Sequence, residues 1–278
     1  MKFGINLPQI GRKAGPEAIR HAAEQAEALG FDDIWVNDHL AVPASAPYPP
    51  SKSFYEPIVT LTWAAAATRR VGLGTSVLVL PLRHPVHLAK ELATLDLLSE
   101  GRLILGAGVG WLEGEFEALG VPMRERGART DECIEILRLC WERDPIDYDG
   151  AKVPTKMAET RTLPQPGRRI PIWVGGITRP AIERAVRLGD GFHAIRLSPE
   201  ELKPVVEDLR RRRGEDFAIS MRLNVDPLLD DVGGIKAKLE GYAALGLDHM
   251  SFEPRQRDLD GWLRAVEATW ELTSPYRA

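Results

Sequence analysis

Short apolar runs alternate along this chain with longer segments in which apolar residues recur every three or four positions. The short runs predict β-strands and the longer ones amphipathic helices. Strands are expected over residues 2–7, 33–36, 71–79, 103–107, 170–174, 191–195, 218–225 and 249–252. Helices are expected over 16–29, 56–67, 85–98, 113–119, 125–142, 180–188, 199–213, 231–245 and 259–272. Gly30 stops the first helix, and Pro85 starts another at a position where a first-turn proline is tolerated. Every strand is followed by helix, and the strands are apolar almost throughout, as buried parallel strands are. Eight such units in 278 residues predict a (β/α)₈ TIM barrel formed by one domain over residues 1–278. The competing arrangement is a doubly wound open sheet with a small extra domain. Residues 144–169, between strands four and five, carry several Pro and Gly and read as an insertion, a short hairpin with a loop.

Composition narrows the class. Hydrophobic residues make up 44% of the chain, enough for a large core. The net charge of -4 offers no basic face for nucleic acid. The run Arg210 to Arg213 ends a helix and reads as a solvated C-terminus. No apolar run reaches the roughly 20 residues of a membrane span. Cys133 and Cys140 lie on one face of the same helix and read as packing residues, which suits a reducing cytoplasm. A soluble, cytoplasmic protein without nucleic-acid or membrane partners is expected. His84 and His87 are three apart on a helix but lack a third ligand, so no metal is expected.

In a barrel, chemistry gathers where strands end. Asn37, Asp38 and His39 follow strand two, and three polar groups in a row there cannot all belong to the core. His39 can exchange a proton near neutral pH; anchoring of the Pro-rich loop 41–53 is the alternative. Strand three opens with Gly72 and Gly74, which mark either close packing of the interior or the approach of another group. Gly106, Gly108 and Gly110 after strand four resemble a dinucleotide fingerprint but lack its helix and acidic partner, and read better as a glycine-lined approach to a planar ligand. Gly175, Gly176, Ile177, Thr178 and Arg179 join strand five to a helix starting at Pro180. Free N–H groups at a helix start, with a hydroxyl and a guanidinium, make an anion site, unless Thr178 simply caps the helix. Glu113 and Glu115 read as a solvated helix start.

Three stretches together resemble the luciferase-like monooxygenase superfamily, and within it the branch that uses the deazaflavin coenzyme F420. They are residues 34–39 (IWVNDH), residues 74–85 (GTSVLVLPLRHP) continuing through 101–111 (GRLILGAGVGW), and residues 171–176 (PIWVGG) with 188–192 (LGDGF). The resemblance implies the same barrel, with a bulge in strand three at Ser76 and Val77 that holds a non-proline cis peptide behind the cofactor ring. It implies that Asp38 and His39 are catalytic and that His39 moves the proton. It places Asn37, Ser76, Val77, Val79, Gly106 and Gly108 at the cofactor, and Gly175, Gly176, Ile177, Thr178, Arg179, Gly191, Phe192 and His193 around its phosphate. The sugar-phosphate dehydrogenases of that branch carry a glutamate after the strand-four glycines. Trp111 stands there in this chain, with Glu113 two residues on, which argues against that reaction.

The expected activity is F420-dependent hydride transfer to or from a small organic substrate. The alternatives are an FMN-dependent monooxygenase using oxygen and a non-catalytic flavin-binding protein; the Asp38-His39 pair argues against the last. Expected partners are the substrate, a second copy of the chain in a homodimer and, for FMN, a separate reductase. Residues 41–53 and the insertion at 144–169 are expected to shape the substrate pocket.

Overall fold

A computed structural model of the chain describes residues 1–49 and 51–277. Pro50, within the proline-rich loop, and Ala278, the end of the expected domain, lie outside the described residues. The strands are β1 (Lys2–Asn6), β2 (Asp33–Val36), β3 (Gly72–Thr75), β4 (Leu78–Val79), β5 (Leu103–Gly108), β6 (Ile146–Asp149), β7 (Lys156–Thr160), β8 (Ile172–Gly176), β9 (Gly191–Ile195), β10 (Ala218–Leu223) and β11 (His249–Phe252). All but β6 and β7 form one parallel sheet in the order β3-β2-β1-β11-β10-β9-β8-β5-β4, and β3 also pairs with β5. That last pairing closes the sheet into a barrel and removes the open-sheet alternative. The helices are α1 (Pro16–Leu29), α2 (Pro57–Ala67), α3 (Pro85–Leu98), α4 (Glu113–Ala118), α5 (Arg126–Glu142), α6 (Arg179–Leu188), α7 (Pro199–Arg213), α8 (Val232–Ala244) and α9 (Leu259–Thr273).

The strand expected over 71–79 is split. Gly74 pairs with Ile104 and Leu78 with Ala107, so four steps along the third strand match three along β5. One extra residue is a β-bulge, which re-aims the chain at a barrel rim. Between the halves the Ser76–Val77 peptide is cis, as the resemblance implied.

Alternation along the strands sorts the side chains. Phe3, Ile5, Ile34, Val36 and Leu73 are fully buried in the core between strands and helices. Asp33 and Trp35 point the other way, into the barrel. Trp35 stacks on His193 at 5.1 Å and on Trp173 at 5.6 Å. Cβ atoms added at Gly4 or Gly74 would run into Trp35, so these glycines make room for the indole, the packing alternative considered for Gly74. Many barrels fill this space with branched aliphatic side chains; here it is aromatic and polar. Cys133 and Cys140 are buried and unpaired, as their spacing predicts.

The insertion forms the expected hairpin, with β6 antiparallel to β7. Its expected place at the substrate pocket is not what the structure shows. It joins the end of α5 to the start of β8, and such helix-to-strand connections lie at the end of the barrel opposite the strand C-termini. Arg168, near its end, donates to Leu103 O at 2.6 Å and to Asp96 at 2.7 Å, at the start of β5 and the end of α3. The arginine run also differs from expectation: Arg210 donates to Phe217 O at 2.7 Å and Asp248 at 2.8 Å, and Arg212 pairs with Glu183 at 2.7 Å. Arg213 donates to Gly189 O at 3.0 Å, so three of the four guanidiniums tie α7 to neighbouring segments. Among the described residues no helix is long and apolar enough to cross a membrane.

Candidate active site

The polar triplet after β2 divides into three roles. Asn37 donates from Nδ2 to Glu253 at 2.7 Å and accepts from Asn6 at 3.1 Å. Its backbone is held by Gln9, which accepts the Asn37 N–H at 2.6 Å and donates to the Asn37 carbonyl at 2.9 Å. Asp38 is buried. Its carboxylate accepts the Val79 N–H at 2.8 Å and pairs with Arg83 at 2.9 Å. Burial pushes the Asp38 carboxyl up, against the pull of Arg83 and the Val79 N–H. Both oxygens being engaged, Asp38 ties the β2 end to the strand-three bulge and acts as a positioning group rather than an open acid.

His39 stands apart from that clamp. Its Nδ1 is 2.9 Å from Glu115 Oε2, while Glu115 Oε1 accepts the Leu40 N–H at 2.6 Å and the Ala41 N–H at 3.2 Å. Glu115 is 2% exposed, contrary to the solvated helix start read from its neighbours. Burial alone would raise its pKa, but hydrogen bonds from His39 and the two backbone amides outweigh it and lower the pKa. A carboxylate accepting at Nδ1 leaves Nε2 as the working nitrogen of His39. Sequence alone did not separate Glu115 from Glu113 and Glu117, its acidic neighbours in the short α4. The His39 ring lies edge-on to Phe54 at 4.9 Å and to Trp111 at 5.8 Å, and Trp111 contacts Tyr48 at 5.7 Å. Tyr48 of loop 41–53, Phe54 just after it and Trp111 of the β5–α4 loop therefore build an aromatic rim around this imidazole.

Behind the rim sits the bulge. The Ser76 N–H donates to Val36 O at 2.7 Å, and Arg222 donates to the Ser76 carbonyl at 2.5 Å. Arg222 also pairs with Glu253 at 2.5 Å. Burial would push the Glu253 carboxyl up, but Arg222 and Asn37 bring it below its ordinary value. Arg222 was not anticipated, since its position within a strand carries no local sign of function. Val77 points across the barrel into a cradle without side chains. A Cβ on Gly175 would stand 2.5 Å from Val77, and one on Gly108 would also collide with it. Gly106 instead gives way to the Thr75 carbonyl, whose hydroxyl donates to Gly106 O at 2.8 Å. The glycines singled out in the sequence thus bring β5 and β8 against the bulge.

The start of α6 has the features of an anion site. Ile177, Thr178 and Arg179 are exposed at the end of β8. Gly176, at φ 145, adopts a conformation that side chains avoid. Thr178 is the N-cap residue, yet its side chain makes no capping hydrogen bond. The N–H groups of residues 177–179 have no acceptor and Arg179 has no ion-pair partner among the described residues. Simple capping does not account for this segment, and the donor set fits a phosphate. Gly191, Phe192 and His193 lie on β9 next to β8, with His193 opposite Gly175 in the register. β9 continues to Ile195, so these three sit below its C-terminal end; Phe192 joins the core and His193 is fully buried inside the barrel.

Comparison with known proteins agrees with this architecture. The model of the luciferase-like monooxygenase family matches residues 1–226. The chain belongs to that family. It is 32% identical to an F420-dependent glucose-6-phosphate dehydrogenase of Kineococcus radiotolerans, over 78% of this chain and 68% of that protein. It is also 32% identical to an uncharacterized protein of Mycobacterium tuberculosis over 96% of both chains. Among solved structures it resembles an F420-dependent secondary alcohol dehydrogenase in complex with an F420-acetone adduct, with a TM-score of 0.82 over the whole of both chains at 19% identity. Monooxygenase RslO1 from Streptomyces bottropensis superposes with a TM-score of 0.81 at 24% identity. At these identities the last two likenesses show the shared fold.

Proposed function

We infer that the protein is an F420-dependent oxidoreductase that transfers a hydride between the deazaflavin and a small organic substrate. The observation that carries this reading is the His39–Glu115 pair, an oriented imidazole at the strand ends beside the bulge. The relatedness to F420-dependent dehydrogenases over about three quarters of the chain supports the choice of cofactor. Bound there, the deazaflavin would supply the hydride-accepting and hydride-donating carbon. The N–H groups of residues 177–179 and Arg179 would hold its phosphate, and the Ser76–Val77 bulge would back its ring.

The chain's own residues handle the proton. Glu115 fixes His39 with Nδ1 turned inward, and Nε2 takes a proton from a substrate alcohol as hydride leaves, or returns it in the reverse direction. Phe54, Trp111 and Tyr48 offer an apolar face to the substrate, which would shield the imidazole from water once bound. The test is a fluorescence titration with F420 and with FMN, followed by anaerobic turnover. Tight F420 binding and oxygen-independent oxidation of F420H₂ by an added carbonyl substrate are expected. Tight FMN binding with oxygen-dependent turnover would replace this reading with that of a monooxygenase.

A further inference from the structure

Five side chains form a hydrogen-bonded file through the barrel that the proposed chemistry does not use. Ser76 Oγ lies 2.8 Å from His193 Nε2. His193 Nδ1 lies 2.8 Å from Ser220 Oγ, and Ser220 Oγ lies 2.7 Å from His249 Nδ1. His249 Nε2 lies 2.9 Å from Asp33 Oδ1, which also accepts the Trp35 indole N–H. Asp33 and His249 begin β2 and β11 at the lower end of the barrel, whereas Ser76 follows β3 at the upper end. All five residues are 4% exposed or less.

We propose that Asp33, His249, Ser220 and His193 form a one-directional hydrogen-bond relay that fixes Ser76 as a hydrogen-bond acceptor and thereby positions the bulge for its cofactor. The positioning role rests on the cofactor reading above. The direction follows from counting hydrogens. Arg222, which can only donate, approaches Ser76 Oγ at 3.4 Å. The single Ser76 hydrogen has one acceptor in reach, His193 Nε2, so that nitrogen is unprotonated. Burial, with His249 and Arg222 nearby, holds the His193 pKa well below its ordinary value, so the ring is neutral and its hydrogen is on Nδ1. That hydrogen goes to Ser220, whose own hydrogen goes to His249 Nδ1. His249 then donates from Nε2 to Asp33, which as a carboxylate only accepts. Every hydrogen finds an acceptor in this order. Reversal would leave the buried Ser76 hydrogen without one, a costly arrangement. The file therefore runs from a guanidinium at the mouth to a carboxylate at the floor.

Nitrogen-15 NMR of the histidines in the full-length protein without added cofactor tests the direction. His193 is expected as the Nδ1–H tautomer and His249 as Nε2–H; an Nε2–H His193 or a doubly protonated His249 overturns the relay. Ser220→Ala removes the middle oxygen, so the His193 Nδ1 hydrogen loses its acceptor and His193 is no longer held in the single Nδ1–H tautomer. F420 affinity should then fall about tenfold, and Ser220→Thr should restore both tautomer and affinity. F420 affinity within twofold of the parent in Ser220→Ala would overturn the positioning role. Should Ser220→Ala fail to fold, Ser220→Cys, which keeps only a weak donor and acceptor at this place, should shift tautomer and affinity in the same direction by less. If the parent binds neither F420 nor FMN, the cofactor reading fails and the positioning role with it, whereas the tautomers still decide the relay itself.

Discussion

His39 Nδ1 stands 2.9 Å from Glu115 Oε2, across 76 positions of sequence. The pair joins the loop after β2 to the helix after β5, and it decides which nitrogen of His39 faces the rim. Glu115→Gln keeps the shape but can donate to Nδ1 and select the wrong tautomer. Turnover should fall by about 10²-fold while F420 affinity stays within twofold. Stopped-flow reduction of the cofactor separates the two quantities.

His39→Ala removes the proton-handling nitrogen altogether. A loss of about 10²–10⁴-fold in kcat is expected, with little change in cofactor Kd. Unchanged turnover would take His39 out of the mechanism.

Arg179→Ala should have the opposite profile. Cofactor Kd is expected to rise about tenfold, as for the loss of one charge-assisted contact, with kcat at saturating cofactor nearly unchanged. Equal affinity in the variant would remove Arg179 from the phosphate site.

The glycine cradle around Val77 predicts a coupled pair. Gly108→Ala should lower unfolding stability by about 1–3 kcal/mol through overpacking. Adding Val77→Ala should recover part of that loss, because the two side chains compete for one space. Urea denaturation of both single variants and the double variant measures the coupling.

His193 and Glu115 make stability depend on pH. Both have folded pKa values below their unfolded ones: His193 mainly through burial, Glu115 because its hydrogen bonds outweigh burial. In each case the unfolded chain binds the proton first as pH falls, so stability present above the unfolded pKa is lost on acidification. The His193 contribution begins to fall near its ordinary value of 6.5, and that of Glu115 only below 4.5. Through His193 the melting temperature should therefore decline from pH 7 toward pH 5, before Glu115 contributes. His193→Gln should flatten that part of the curve, and a parent protein equally stable at pH 7 and pH 5 would contradict the assignment.

Local periodicity determined much of this protein. Alternating runs specified the strands, the three-to-four spacing specified the helices, and their number specified the barrel. Residues 37–39 and 175–179 stood out because polar groups and glycines at strand ends break that periodicity. Family resemblance located the bulge at Ser76 and Val77. The tertiary structure decided what local pattern cannot carry. Closure of β3 on β5 set the register that turns Val77 into the glycine cradle. Packing of α4 buried Glu115, although its neighbours read as solvent-facing. The connection in which the 144–169 insertion falls placed it at the floor, away from the site. The relay joins Asp33 to His249 across 216 positions. Each of its side chains faces inward by strand alternation, but only the parallel register of the closed barrel sets them at hydrogen-bonding distance.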